Sequence, residues 1–211
     1  KYQLDLIDAN NMGAEAGYAM VAVDVATRKI YGTLLNGKTT ADIIAAFDRI
    51  IGPQADDSRA SLDVNVPSTI SLDQERGWKT PAFLNHLQRY NITLRFKTDK
   101  FQPNRLGSVD NAIKRIKEYI RRRITENEED ADSWTKYFDE AIEASNNRKF
   151  EVLSRMAPNQ IFGQNGAPIN ENAEHTIFNL EQEQAEKMKR NKEKHQRLKS
   201  NLIREGAFRI P

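Results

Sequence analysis

Apolar and polar positions alternate through residues 2–8 (YQLDLID) around Leu4 and Ile7, and the alternation breaks at Asn10-Asn11-Met12-Gly13. Residues 18–24 (YAMVAVD) and 30–35 (IYGTLL) read as two further strands joined by the turn-like Ala26-Thr27-Arg28-Lys29. Three sequential strands with short connections predict an antiparallel meander, closed by Asn36-Gly37. Thr39 or Thr40 then caps a helix whose apolar positions, Ile43, Ile44, Phe47, Ile50 and Ile51, recur at the helical period. Residues 52–68, rich in Pro, Asp and Ser, read as a loop.

Thr69 to Asp73 is a short strand ending on a carboxylate, and Pro81 opens a helix with Phe83, Leu84 and Leu87 on one face. Asn91 to Phe96 is the fifth strand, followed by a loop over 97–107 and a basic helix over about 109–124. From Ser133 a helix carries Trp134, Tyr137, Phe138, Ala141 and Ile142 at i, i+3, i+4, i+7 and i+8, a core-facing stripe. The order βββ-α-β-α-β predicts a mixed five-stranded sheet flanked by helices. Residues 180–200 have almost no apolar face, which predicts an exposed helical arm or one packed on a partner. Residues 203–211 regain a strand-like alternation. The expected division is a globular core over 1–165, a linker and charged arm over 166–202, and the truncated start of another module over 203–211. The abrupt, strand-like beginning at Lys1 suggests an excised fragment.

Composition changes this picture in three places. Mean hydropathy is −0.73, and the polar share is concentrated in the tail, which favours one globular domain plus an arm over two domains. Cysteine is absent, so no disulfide framework and no thiolate metal site is available; His86, His175 and His195 lack ligand spacing, which excludes a zinc module. No apolar run approaches the ~20 residues of a membrane span, and an intracellular soluble protein is expected. The 32 Lys and Arg nearly balance the 30 Asp and Glu, but their distribution is uneven. Residues 114–123 (KRIKEYIRRR) hold six cations and one anion, whereas residues 126–132 (ENEEDAD) hold five anions and no cation. Such a stripe neutralises phosphates locally even when the total charge is near zero.

Three carboxylates stand out by placement: Asp5 in the first strand, Asp73 at the end of the fourth, and Asp110 at the start of the basic helix. Converging there, they would repel one another unless cations lay between them, which suits Mg²⁺ and phosphate-oxygen chemistry. Solvated surface acids are the other reading of the same spacing.

The surrounding residues carry a resemblance. Tyr2-Gln3-Leu4-Asp5-Leu6-Ile7-Asp8 resembles the aromatic-x-x-Asp first strand of retroviral and retrotransposon integrases, and residues 17–24 with Lys38-Thr39-Thr40 resemble the elements that follow. Phe101-Gln102-Pro103-Asn104-Arg105-Leu106-Gly107-Ser108-Val109-Asp110 resembles the family's loop before its third catalytic acid. The gap from Asp73 to Asp110 is 110 − 73 − 1 = 36 residues, close to the family's spacing. Ala157 to Phe162 looks like the closing Pro-containing helix. The wording of Leu4-Asp5-Leu6-Ile7-Asp8 and of residues 109–117 is similar to integrases of Maverick/Polinton transposons and their viral relatives.

The resemblance spans roughly residues 2–162 and implies a ribonuclease H-like catalytic core that processes DNA 3′ ends and transfers them into target DNA. It implies Asp5, Asp73 and Asp110 as catalytic metal ligands for Mg²⁺ or Mn²⁺, and Lys114 and Lys117 as contacts to the DNA end. Arg121 and Arg122 extend that basic face, while Pro103 and Gly107 frame an active-site loop. Implied partners are element-end and target DNA and further copies of the chain, with no membrane, in a nucleus or virus particle. Three departures stand out: Asp110 replaces the family's Glu, Asp73-Gln74-Glu75 lacks the usual Gly, and Ile113 replaces a polar residue. They leave a catalytically silent, domesticated integrase module for DNA binding or assembly as the alternative. A ribonuclease H ranks last, because residues 36–60 hold no Glu for its first helix.

Overall fold

The computed structural model describes residues 1–15, 17–51, 66–73, 76–96, 106–161 and 171–204. Strands β1 (Tyr2–Asp8), β2 (Tyr18–Asp24) and β3 (Ile30–Leu35) form the expected meander. Helix α1 (Thr40–Ile51) leads toward β4 (Thr69–Leu72), α2 (Pro81–Arg89) and β5 (Thr93–Phe96). The sheet order is β3-β2-β1-β4-β5, with β1 antiparallel to β2 and parallel to β4. The mixed sheet predicted from the element order is therefore what forms.

Alternation along the strands decides which helix covers which face. Ile7, Ala19, Val21 and Val23 point to one side, where α3 (Gly107–Glu126) and α4 (Phe138–Asn146) seal them with Val109, Ile116, Ile120 and Phe138. Leu4, Met20, Ala22, Ile70 and Leu72 point to the other, against Ile43, Phe47, Phe83 and Leu87 of α1 and α2. Central β2 is thus apolar on both faces, as a strand between two helical layers must be.

Helix α4 lies directly on the edge strand. A Cβ added at Gly32 would stand 2.5 Å from Ile142 Cδ1 and 3.0 Å from the Phe138 ring, so a larger residue there would displace these side chains. At the end of α4 the buried Asn146 side chain accepts from Ile30 N–H and donates to Ile30 C=O, both at 2.8 Å. One amide group therefore stands in for a missing neighbouring strand at the outer edge of β3.

Several boundaries differ from expectation. The fifth strand starts at Thr93 rather than Asn91, because Asn91 adopts a left-handed φ of 54° in the turn after α2. The basic helix runs Gly107–Glu126, longer than 109–124. The stripe from Ser133 is not one α-helix: Ala131–Tyr137 is 3₁₀, whose three-residue period buries Trp134 and Tyr137 together, and α4 begins at Phe138. The closing helix is a single 3₁₀ turn, Pro158–Gln160.

The arm is α5 (Glu171–Arg204), 34 residues long. Ala173 and Leu180 are buried with Leu153 and Ile161, which roots its first turns on the core. Beyond Leu180 every described side chain is exposed, as the absent apolar face predicts. Ile203 and Arg204 are helical rather than strand-like, and the rest of 203–211 lies outside the described residues. The same holds for nearly all of 52–68 and 97–107, and for all of residues 166–170. No described helix is long and apolar enough to cross a membrane.

Asn146→Ala removes both bonds to Ile30 and leaves a buried donor and acceptor unpaired, each costing about 1–3 kcal/mol. Urea unfolding is expected to show a loss of roughly 2–4 kcal/mol with an unchanged denaturant slope.

Candidate functional site

The site is organised by a helix cap supplied from a strand. Leu106, at the start of α3, offers no side-chain cap. Instead Gln3 Oε1, on β1, accepts from the backbone N–H groups of Ser108 and Val109 at 3.0 and 3.2 Å. Two of the four unpaired amides that every helix begins with are thereby satisfied. Gln3 itself is 6% exposed. It lies on the same face of β1 as Asp5, two residues on, so the cap that holds α3 also sets its first turn above Asp5.

Asp110 lies in that first turn. Asp5 and Asp110 consequently line one open depression of about 360 Å³, together with Ile113, Lys114, Lys117, Glu118 and Arg121. Asp5 is half-buried, its Oδ1 accepting from Leu6 N–H at 2.8 Å, and Asp110 is exposed. Lys114, Lys117 and Arg121 follow Asp110 at +4, +7 and +11, so helical spacing stacks them on its side of α3. Lys114 reaches Glu118 at 3.9 Å across exposed side chains, and Arg121 donates to the Asn11 carbonyl at 3.2 Å. Three carboxylates and three cations thus share one surface.

Asp73 is exposed and sits just past β4, outside that lining. The parallel register pairs Gln3 with Ser71, and Asp73 follows two residues after Ser71, past the last residue of β4. Among the described residues no group of three or more His, Cys, Asp or Glu side chains is arranged to hold a metal ion. Arg122 also stands apart: its guanidinium packs over the Tyr119 ring at 5.1 Å and pairs with Glu126 at 3.6 Å. Gly107 is the first residue of α3, and among the described residues a Cβ there would meet nothing within 4 Å. Pro103, Gln74 and Glu75 lie outside the described residues. Ile113, the residue in place of a polar one, is nearly buried and joins the core between the depression and the sheet.

The fold is that of a retroviral integrase catalytic core, a ribonuclease H-like domain. A chain of the simian T-cell lymphotropic virus intasome, solved in complex with PP2A regulatory subunit B56 gamma, superposes with a TM-score of 0.60 at 16% identity. That match covers 75% of this chain and 52% of the intasome chain, so this chain spans about half the length of that relative. The catalytic core domain of BIV integrase superposes with a TM-score of 0.55 at 13% identity, covering 76% of this chain and 91% of that one. No protein-family model and no curated protein matches the sequence.

Gln3→Met keeps the side-chain volume and removes the acceptor. Hydrogen exchange at Ser108 and Val109 is expected to accelerate selectively, with a global loss of about 1–3 kcal/mol from the unpaired amides. Unchanged protection at these two amides would show that the first turn of α3 is held by something else.

Proposed function

We propose that this domain is the catalytic core of a DNA integrase, a polynucleotidyl transferase that trims a DNA 3′ end and joins it to target DNA. One observation carries the reading: Asp5 and Asp110 share an open depression with Lys114, Lys117 and Arg121, on the fold of a retroviral integrase core. A phosphodiester is repelled by paired carboxylates alone, so a surface that combines the two signs suits a substrate bridging cations of the protein and cations of the medium. The intasome likeness supports DNA as partner and assembly with further copies of the chain.

The donor set suits Mg²⁺ or Mn²⁺. Both ions favour oxygen ligands, and Mg²⁺ is held by one or two carboxylates plus substrate phosphates. Asp5 and Asp110 are the residues that would hold it, with Asp73, just past the end of β4, as a third donor. Such an ion, when bound, supplies charge neutralisation and a more acidic water. The chain's own residues do the rest. Lys114, Lys117 and Arg121 grip and orient backbone phosphates, and Gln3 fixes the height of α3, hence the separation of Asp110 from Asp5. Phosphoryl transfer depends on positioning and electrostatics more than on a protein nucleophile, in keeping with the absence of cysteine from the chain.

Strand transfer into duplex DNA, measured with and without Mg²⁺ or Mn²⁺, tests the reading. Divalent-dependent products are expected from the wild type, with a loss of about a hundredfold or more in Asp5→Asn and Asp110→Asn. Asp110→Glu, restoring one methylene of reach, is expected to keep or raise the rate, since ~1 Å of misplacement costs about a hundredfold. If the wild type neither joins DNA nor binds divalent metal at millimolar concentration, and Asp110→Glu rescues neither, the domain is a silent DNA-binding or assembly module.

DNA affinity gives a separate check. Replacing Lys114 and Lys117 together by Gln is expected to weaken duplex binding and flatten the dependence of log K on log salt. The change should be about two phosphate contacts, roughly 0.9 units each. An unchanged slope would move the DNA to another surface.

A further inference from the structure

The flank of α3 turned away from Asp110 carries a second cationic feature. Arg115 follows Asp110 by five residues, which on an α-helix is roughly 140° around the axis. Ser108 precedes Arg115 by seven residues and shares its flank. Arg28, in the β2–β3 turn at a left-handed φ of 63°, donates to Ser108 Oγ, which ties that turn to the start of α3. Arg115 lies over the Phe150 ring at 5.5 Å, and its Nε is sealed from solvent with no hydrogen-bond partner among the described residues. Arg148, exposed just after α4, completes the group.

The guanidinium groups of Arg148 and Arg28 each lie close enough to that of Arg115 to oppose it. Burial first, then Arg148 and Arg28, lowers the hold of Arg115 on its proton below the ordinary value. Burial likewise lowers that of Arg28. Among the described residues two carboxylates face the group, Asp24 toward Arg28 and Glu118 toward Arg115, and both have other partners. Asp24 accepts from Ala26 N–H at 3.1 Å and Thr27 Oγ1 at 2.8 Å, and Glu118 meets Lys114. A buried donor without an acceptor costs about 1–3 kcal/mol, more when charged, and like charges add to that cost. The arrangement is explained if an anion from outside belongs there.

We propose that Arg28, Arg115 and Arg148, with Ser108, form a phosphate-binding site on the flank of α3 opposite the Asp5–Asp110 depression. Phosphate fits better than carboxylate on charge and geometry. A terminal phosphate brings about −1.5 to −2 and three strong acceptor oxygens, enough for several guanidinium forks, whereas a carboxylate brings one charge and one bidentate edge. The phosphate comes either from DNA or from a free phosphate species. The site goes beyond the integrase reading, and its test does not depend on strand transfer.

Thermal unfolding of the full chain in inorganic phosphate or pyrophosphate, against sodium chloride of matched ionic strength, reads the site. At about ten times the dissociation constant a phosphate-specific rise of roughly 3–6 °C is expected. Arg115→Met should abolish that rise and leave the midpoint in chloride equal or higher, because a sealed donor without an acceptor is removed. Arg148→Gln alters only an exposed side chain and should weaken the phosphate effect about tenfold, so the test survives even if Arg115→Met does not fold. Duplex DNA with and without a 5′-phosphate separates the two sources. Weaker DNA binding by Arg115→Met assigns the phosphate to DNA; unchanged DNA binding with the phosphate effect lost assigns a free species. Three results overturn the proposal: phosphate no better than chloride, an undiminished rise in both variants, or acetate exceeding phosphate. The last would point to an acidic side chain of a protein partner.

Discussion

Everything proposed for this domain hangs on the side chain of Gln3 reaching the first amides of α3. A helix can slide and tilt over an apolar sheet with little change in buried area, because dispersion and hydrophobic contacts are non-directional. Two hydrogen bonds to Ser108 and Val109 are directional, and they fix one end of α3 at one height above β1. With that end fixed, the Asp110 side faces Asp5 and the Ser108–Arg115 side faces the β2–β3 turn. The layer beneath α1 and α2, by contrast, could vary in detail without moving either surface.

The fold was largely legible from period and punctuation. Alternation in residues 2–8 and the strand-like runs at 18–24 and 30–35 marked the meander, and Pro81 marked the start of α2 where Thr80 does cap it. Misplaced boundaries share a cause: local conformation overrode pattern. Asn91 stands at the head of the strand-like run Ile92 to Phe96 but turns left-handed, and Trp134 with Tyr137 satisfies an i, i+3 stripe that a 3₁₀ helix meets as well as an α-helix does.

The site was legible to a different depth. Asp5, in the first strand, and Asp110, at the start of the basic helix, line one depression, whereas Asp73 lies outside its lining. The cap by Gln3 left no signal, since a polar residue on a strand does not announce a partner 105 positions away. The run KRIKEYIRRR read as one basic patch, yet consecutive helical residues diverge by about 100°. Arg121 therefore borders the depression while Arg122 turns to Tyr119, and Arg115 goes to a surface of its own. Charge counting located the stripe; only the helix geometry divides it.

The long helix α5 has a property of a mechanical kind. It is clamped near Leu180 and continues as a helix to Arg204, 24 residues further, so its far end stands ~36 Å beyond the clamp at 1.5 Å per residue. Such a rod transmits torsional phase as well as distance. Insertion of one residue in the exposed stretch would lengthen it by only ~1.5 Å but swing its far end by about 100°, whereas seven residues would lengthen it by ~10 Å and nearly restore the azimuth. In an assembly of several copies, the direction in which α5 presents its charged sides would then be encoded by the residue count past Leu180 more sharply than by the identity of any residue along it.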